Sequence, residues 1–415
     1  MLDHFIKNEA RVRRLRSSVI GPHVDSFTDG LASLGYAIAT VRPKLSLLEQ
    51  LNRWMVHRGY GVTDLNEHVI DTFLEGRRRQ MCLHRDDAAT VRHFLAHLRA
   101  QGVTESRVRV VDDSPLLRLQ REYEQHLTSE RGLAPPTVTN YGGFFRRFMT
   151  EHAAEAPLSL RHLDVSAIST FVRRHAHTMS PGRAKIMVTA LRSIFRFFLQ
   201  RGLIERDLAA CVPTVANWRL ANIPKYLTPD EIDRLLHACD RTTAVGRRNR
   251  AMLLLLARLG LRAGEVVTLE LADLNWRAGE ITVRGSKGLR QDRLPLLTDV
   301  GEALAEYLQR DRPRDPTRRV FLCLPAPRRG LAGARTVTAV VRRALDRAGL
   351  RPPVKGAHVL RHSLATRMLR QGASLLEIGQ VLRHRAVSTT EIYAKVDVAA
   401  LRALAQPWPG AGGAR

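Results

Sequence analysis

Four short stretches toward the C-terminus hold the residues best suited to chemistry. They are Leu261-Arg262-Ala263-Gly264-Glu265, the turn Gly285-Ser286-Lys287-Gly288, His358-Val359-Leu360-Arg361-His362, and His384 with Tyr393 nine residues on. In chain order they supply arginine, lysine, histidine, arginine, histidine and tyrosine. This is the set needed to break a phosphodiester through a covalent phosphotyrosine. A phosphate gathers negative charge on its non-bridging oxygens as it becomes pentavalent, and two planar guanidiniums can each bind those oxygens bidentately where a lysine cannot. Fixed donors around developing charge are usually the largest catalytic term. Arg262 and Arg361 fit that work, and His384 could add a third hydrogen bond. A tyrosine hydroxyl has a pKa near 10, so Tyr393 needs a proton acceptor, for which His358 is the candidate. The leaving 5′-oxygen needs a proton, and Lys287 on a hairpin is the candidate acid.

Each residue also has a plainer reading. Arg262 follows a glycine break and could cap the preceding helix, Lys287 could be an exposed turn lysine, and Arg290 or Arg293 could take its role. His358 and His362 could be core histidines, Tyr393 a core aromatic. Glu265, three residues after Arg262, suits buttressing an arginine better than reacting. The plain readings predict no particular order, whereas the residues appear in an order that one reaction explains. Glu265 and Asp273 do not make the carboxylate cluster that a metal-dependent nuclease needs, and no cofactor or metal is expected.

Bulk composition bounds the rest. The chain has 415 residues, 44% hydrophobic and 26% charged, too long for one ordinary core and suited to two or three domains. Net charge is +26, with pI near 11.2. An excess of that size points to a polyanionic partner, a nucleic acid, bound in a salt-sensitive way. The apolar run Ala251–Ala257 is far too short to span a membrane, and the first twenty residues lack the apolar core of a secretory signal. The four cysteines, Cys82, Cys211, Cys239 and Cys323, show no metal or disulfide spacing. Reduced thiols in a cytoplasmic, nucleoid-associated protein are expected.

Residues 1–110 and 113–210 read as a diverged repeat. Phe27, Gly35, Thr40-Val41, Leu65 and Phe73 recur as Tyr123, Gly132, Thr137-Val138, Leu163 and Phe171, at offsets of 96 to 98. Each half suggests a small helical bundle. A fourth helix of the second bundle is expected over Pro181–Gln200, with Ile186, Val188, Leu191, Ile194, Phe195 and Phe198 on one face. Residues 211–226, with Pro213 and Pro224, read as a linker, and 227–405 as a separate domain. That domain opens on Thr228-Pro229-Asp230-Glu231, a helix start with Thr as N-cap and Glu completing a capping box. A long helix is expected over Arg250–Leu259, strands around the Lys287 turn, and helices at about 375–382 and 389–396. Residues 406–415 read as a flexible tail. The fold class is mainly α with a small antiparallel β-sheet.

The segments Leu259-Gly260-Leu261-Arg262-Ala263-Gly264-Glu265-Val266, His358 through Thr366, and Leu382-Arg383-His384 with Tyr393 resemble the signature boxes of the tyrosine recombinase, or phage integrase, family. Lys287 matches that family's hairpin lysine. The resemblance covers about residues 227–400, and extends less specifically over 113–210, similar to the family's helical core-binding domain. It implies an active site of Arg262, Lys287, His358, Arg361 and His384, supported by Glu265 and His362, with Tyr393 as nucleophile. It further implies one-strand-at-a-time DNA cleavage, a 3′-phosphotyrosine, a four-way junction and a homotetramer on DNA, with or without partner recombinases. A site-specific recombinase or integrase of a mobile element or phage is expected. Same-chemistry and idle alternatives are a type IB topoisomerase and a DNA-binding protein on this fold. One departure stands out. Arg383 replaces the glycine of the family's usual Leu-Gly-His, and its expected destination is phosphate or solvent.

Overall fold

A run of seven apolar residues leaves a helix no polar face, so it must be enclosed on all sides. Ala251 through Ala257 are each at most 2% exposed, and they form the inner part of a helix that the rest of its domain surrounds. The structure is a computed structural model. It describes residues 2–80, 84, 86–105, 114–155, 160, 163–216, 223–285 and 291–396. The chain groups into two compact units, Val108–Asn222, and Met1–Arg107 with Ile223–Arg415.

In the second of these, residues 227–360 form one hydrophobic core, and Leu364, Ala365, Ile378, Leu382 and Tyr393 form a second, smaller one. The larger begins with α1 (Pro229–His237), where the expected capping box is complete: Thr228 Oγ1 accepts from Glu231 N–H at 3.2 Å and Glu231 accepts from Thr228 N–H at 2.8 Å. The enclosed helix, α2 (Ala244–Arg258), starts six residues before the expected Arg250. Thr243 caps it, and Gly246 lies so close to the Asp240 carbonyl that any Cβ would collide with it. There follow α3 (Ala263–Thr268), a three-stranded antiparallel sheet of β1 (Leu274–Asn275), β2 (Glu280–Arg284) and β3 (Gln291–Pro295), and α4 (Thr298–Arg310). Ile281 faces Leu294 across the β2–β3 pair. Ile281 and Val283 point into the core while their neighbours on β2 do not, as strand alternation requires. Helices α5 (Ala334–Arg347), α6 (Ala357–Arg370) and α7 (Leu375–Val381) complete the domain. Where a helix was expected at 389–396, the chain makes two 3₁₀ turns, Val387–Thr389 and Glu391–Val396.

The same unit contains a separate core built by residues 2–98. Its longest helix, α8 (Ile38–Arg58), follows α9 (Gly21–Ser33) and precedes α10 (Glu67–Gln80) and α11 (Asp87–Ala100). The unit Val108–Asn222 holds α12 (Pro115–Gln125), running into one π turn (His126–Glu130), then α13 (Pro135–Glu155), α14 (Val165–Ala176) and α15 (Pro181–Gln200). Its core is aromatic, with Phe148 edge-on to Phe171 and Phe195. α8 and α13 are both 21 residues long. Gly35 and Gly132, which precede them, both take positive φ, 77° and 58°, a conformation that glycine adopts without strain. Phe27, Tyr123, Leu65, Leu163, Phe73 and Phe171 are all buried. Ile186 departs from its expected face and is 43% exposed. Cys211, Cys239 and Cys323 are free thiols, and no described helix is long and apolar enough to cross a membrane.

Candidate active site

The site is assembled where α2 stops. After Leu259, Gly260 turns with φ 60°, and a Cβ there would meet Leu382 Cδ2 at 2.7 Å and Leu364 Cδ2 at 3.0 Å. Both the backbone conformation and the space therefore demand glycine. The turn delivers Arg262 to the N-terminus of α3. Glu265 Oε2 accepts from the Arg262 backbone N–H at 2.8 Å, and its Oε1 accepts from Arg262 Nη1 at 2.7 Å. Arg262 thus caps the helix that follows it, where the plain reading had it capping the helix before, and its guanidinium is half open to solvent, its side chain 36% exposed. Glu265 buttresses it, as expected.

α6 carries His358, Arg361 and His362, positions three and four apart that share a face. Arg361 is 4% exposed. Its Nη1 donates to the Gly260 carbonyl and its Nη2 to the Leu382 carbonyl, so it ties the turn after α2 to the end of α7. Burial, and then the charges of Arg262 and Arg383, push its pKa down to about 9.

Tyr393, on the second 3₁₀ turn, is 1% exposed. Its hydroxyl lies 2.8 Å from His362 Nδ1. The tyrosine's hydrogen-bond partner is therefore His362, one residue after Arg361, where the sequence pointed to the more exposed His358. Burial raises the Tyr393 pKa to about 12 despite the opposing charge of Arg361. Desolvation, then His358 and Arg361, lowers that of His362 to about 4. With both groups neutral, the phenol donates to Nδ1 when His362 carries its hydrogen on Nε2. His384 Nδ1 sits 2.7 Å from Thr390 Oγ1, and its ring is parallel to Tyr393 at 6.5 Å. Desolvation, then Arg361 and Arg262, brings the His384 pKa to about 4. When the Thr390 hydroxyl donates to Nδ1, Nε2–H is free to serve as a donor. His358 too is shifted down, by desolvation and then by Arg361 and Arg262.

Lys287 lies outside the described residues, between β2 and β3, whose last pair is Arg284 with Gln291. Arg293 on β3 is exposed beside Glu280 at 3.7 Å. Arg383 corrects an expectation. It is buried rather than solvent-facing, 6% exposed, and donates from Nη2 to Glu265 Oε2 at 2.8 Å. The nearest compensating charge lay inside the protein, 118 positions away in sequence, and no local pattern pointed to it. Thr390 was missed as well, although it lies only six residues after the His384 it bonds.

The helix that bears Arg361 is also fastened to the start of the domain. Ser363 Oγ accepts from Leu227 N–H at 2.8 Å and donates to the Val359 carbonyl at 2.8 Å. Arg370 donates to the Tyr226 hydroxyl at 2.6 Å and stacks over its ring.

The phage integrase family model matches residues 225–399, and that of the phage integrase N-terminal SAM-like domain matches 121–202. A Sinorhizobium fredii protein named as an integrase/recombinase is 43% identical over 411 residues, covering 99% of both chains. The tyrosine recombinase XerD of Mycobacterium tuberculosis is 35% identical over 309 residues, 70% of this chain and 95% of its own. Among solved structures, XerH recombinase in a post-cleavage complex with its difH substrate aligns with TM-score 0.55 at 22% identity, over 74% of this chain and 92% of that one. A lambda integrase tetramer on a Holliday junction aligns with TM-score 0.51 at 19% identity, over 79% and 90%. These two share the fold. The chain belongs to the phage integrase family of tyrosine recombinases.

Proposed function

We propose that this protein breaks and rejoins double-stranded DNA at specific sites, with Tyr393 as nucleophile. The scissile phosphate sits between Arg262 and Arg361, with His358 and His384 adding donors. Tyr393 passes its proton to His362 and its oxygen bonds phosphorus. The bond from phosphorus to the 5′-oxygen breaks, and Lys287 protonates the leaving oxygen. The phosphodiester is conserved as a 3′-phosphotyrosine, so attack by a new 5′-hydroxyl reverses every step without ATP. The observation that carries this reading is the 2.8 Å contact between the Tyr393 hydroxyl and His362, which puts the nucleophile beside the helix that holds Arg361.

The DNA and tetramer assignments draw on relatives. The solved lambda integrase structures include a dimer on a core site and a tetramer on a Holliday junction. For this chain we assign residues 113–210 to clamping the DNA duplex, 211–226 to the linker, 227–405 to catalysis and 406–415 to a tail. The matching helix lengths and buried positions of 1–110 support a duplicated clamp. In it Arg13, Arg14, Arg78 and Arg79 are exposed, whereas Arg11 and Arg16 are held by Glu49, Asp3 and Asp25. Work on the DNA of a mobile element or phage in the cytoplasm, on the nucleoid, follows from this reading.

The test is a nicked duplex drawn from the DNA flanking the protein's own gene. Nicking lets the short product diffuse away and traps the covalent adduct. The expected result is a protein–DNA adduct that Tyr393→Phe abolishes while leaving DNA binding nearly intact. An adduct that survives this change refutes the assignment.

A further inference from the structure

We propose that Arg383 is a positioning residue that fixes Arg262 through Glu265, so that one buried carboxylate ties two guanidiniums together beside the third, that of Arg361. The inference rests on the active-site reading above and extends it to a residue standing where the family has glycine.

Arg383 takes φ 55°, and among the described residues it is the one non-glycine with positive φ. A side chain with a Cβ is strained there and glycine is not. The strain therefore has to be offset by what the side chain touches. Its guanidinium is buried, 3% exposed, against the equally buried Glu265 carboxylate at 2.8 Å. It also donates to the Val381 carbonyl at 3.2 Å, the Gly260 carbonyl at 3.4 Å and the Leu259 carbonyl at 3.5 Å. Its Nε is buried with no hydrogen-bond partner among the described residues, a further cost. Such an arrangement persists when surrounding contacts over-determine it.

Those contacts converge on Arg262. Glu265 Oε2, which takes Arg383, also takes the Arg262 backbone N–H, and Oε1 takes Arg262 Nη1. The carbonyl of Arg383 accepts from Arg262 Nη2 at 3.2 Å. Residue 383 therefore holds Arg262 twice, once by its backbone and once through the carboxylate. A glycine would keep the first hold and lose the second. Electrostatics agree with the geometry. Burial pushes the Glu265 carboxyl up, but the charge of Arg383 is foremost among the influences that outweigh it and keep it ionised. The third cation also leaves the site with a surplus of positive charge, which favours the more negative transition state over the bound phosphate.

The experiment compares full-length wild type with Arg383→Gly, Arg383→Asn, Arg383→Lys, Glu265→Gln and the double variant Arg383→Gly/Glu265→Gln. Asparagine tolerates the left-handed conformation and stands in should the glycine variant fail to fold. Readouts are the thermal midpoint, duplex affinity, and single-turnover adduct formation on the nicked substrate at saturating DNA. Arg383→Gly and Arg383→Asn should bind DNA within about twofold of wild type and form adduct on the order of tenfold more slowly or worse, the scale of a misplaced charged donor. Arg383→Lys should recover part of that rate. The double variant should be no slower than the slower single variant, because both changes break one contact. A wild-type rate in Arg383→Gly overturns the proposal, as does a fall in midpoint with no fall in rate per folded molecule. Multiplied losses in the double variant overturn the route through Glu265. A wild-type adduct that persists in Tyr393→Phe overturns the active-site reading itself, and this control separates the two failures.

Discussion

Replacing Arg361 with methionine should disable the chemistry and leave the fold almost untouched, an outcome unlike that of most changes at a fully buried position. Methionine keeps much of the length and loses the charge and the donors. On the chemical side, a charged donor to the transition state disappears, which costs on the order of a hundredfold or more, about 3 kcal/mol. On the stability side two effects oppose one another. Burial, Arg262 and Arg383 hold the guanidinium's pKa down to about 9, a depression equivalent to on the order of 5 kcal/mol against the charged form. Removing the cation relieves that. It also strips the Gly260 and Leu382 carbonyls of their donor, at about 1–3 kcal/mol each. The terms largely offset one another, so the midpoint should move by no more than about 12 °C for a domain of this size. Thermal unfolding with and without DNA, and single-turnover adduct formation, measure the two sides. Loss of cooperative unfolding would show Arg361 to be a strut first and a phosphate ligand second. An adduct rate within tenfold of wild type would remove it from the reaction.

Gly260→Ala puts a Cβ 2.7 Å from Leu382 Cδ2 at a φ of 60°, and should lower stability by about 1–3 kcal/mol, read as a fall in denaturant midpoint. The neutral histidines give a pH dependence. His362 and His384 have folded pKa values of about 4 against 6.5 for the free side chain, so the unfolded chain takes up their protons first. The stability they contribute is present above about pH 6.5 and lost as pH falls toward 4. His362→Asn should therefore flatten the decline in midpoint between those limits, and an identical slope in the variant would contradict the assignment. Lys287→Ala should lose adduct formation on an ordinary substrate and regain it on one with a 5′-bridging sulfur, whose thiolate leaves without a proton. Equal loss on both would transfer the role to another group.

The parts legible in advance were those whose signals are local or chemically ordered. The capping box at Thr228 needs only four consecutive residues, and it formed. Pro181 and Gln200 bound α15 as its periodicity and opening proline indicate. The arginines, histidines and tyrosine suggest one reaction by their order, and the fold brings Arg262, Arg361, His362, His384 and Tyr393 together. Contacts that cross the fold were not legible. Spacing places His358 and His362 on one face of α6 but does not say which one meets a tyrosine 31 residues beyond His362. Arg383 looked like a surface cation because its carboxylate partner is on another helix. The polar stretch Arg247-Arg248-Asn249 hid the first turns of α2, where Arg248 and Asn249 are buried against each other and the Leu322 carbonyl. Ile186 is apolar, yet it lies on the outward side.

Force carried along the chain ahead of Tyr226 meets the helix of Arg361 at once. Leu227 is bonded to Ser363, two positions from that arginine, and Tyr226 grips Arg370 near the helix's far end. Ser363 in turn bonds back to Val359, so a tug at this point bears on the turn from which Arg361 and His362 project. In the function proposed above, a small tilt there changes how two guanidinium groups and a phenol meet the scissile phosphate. A pull on Tyr226 or Leu227 is therefore a pull on the helix that carries Arg361 and His362.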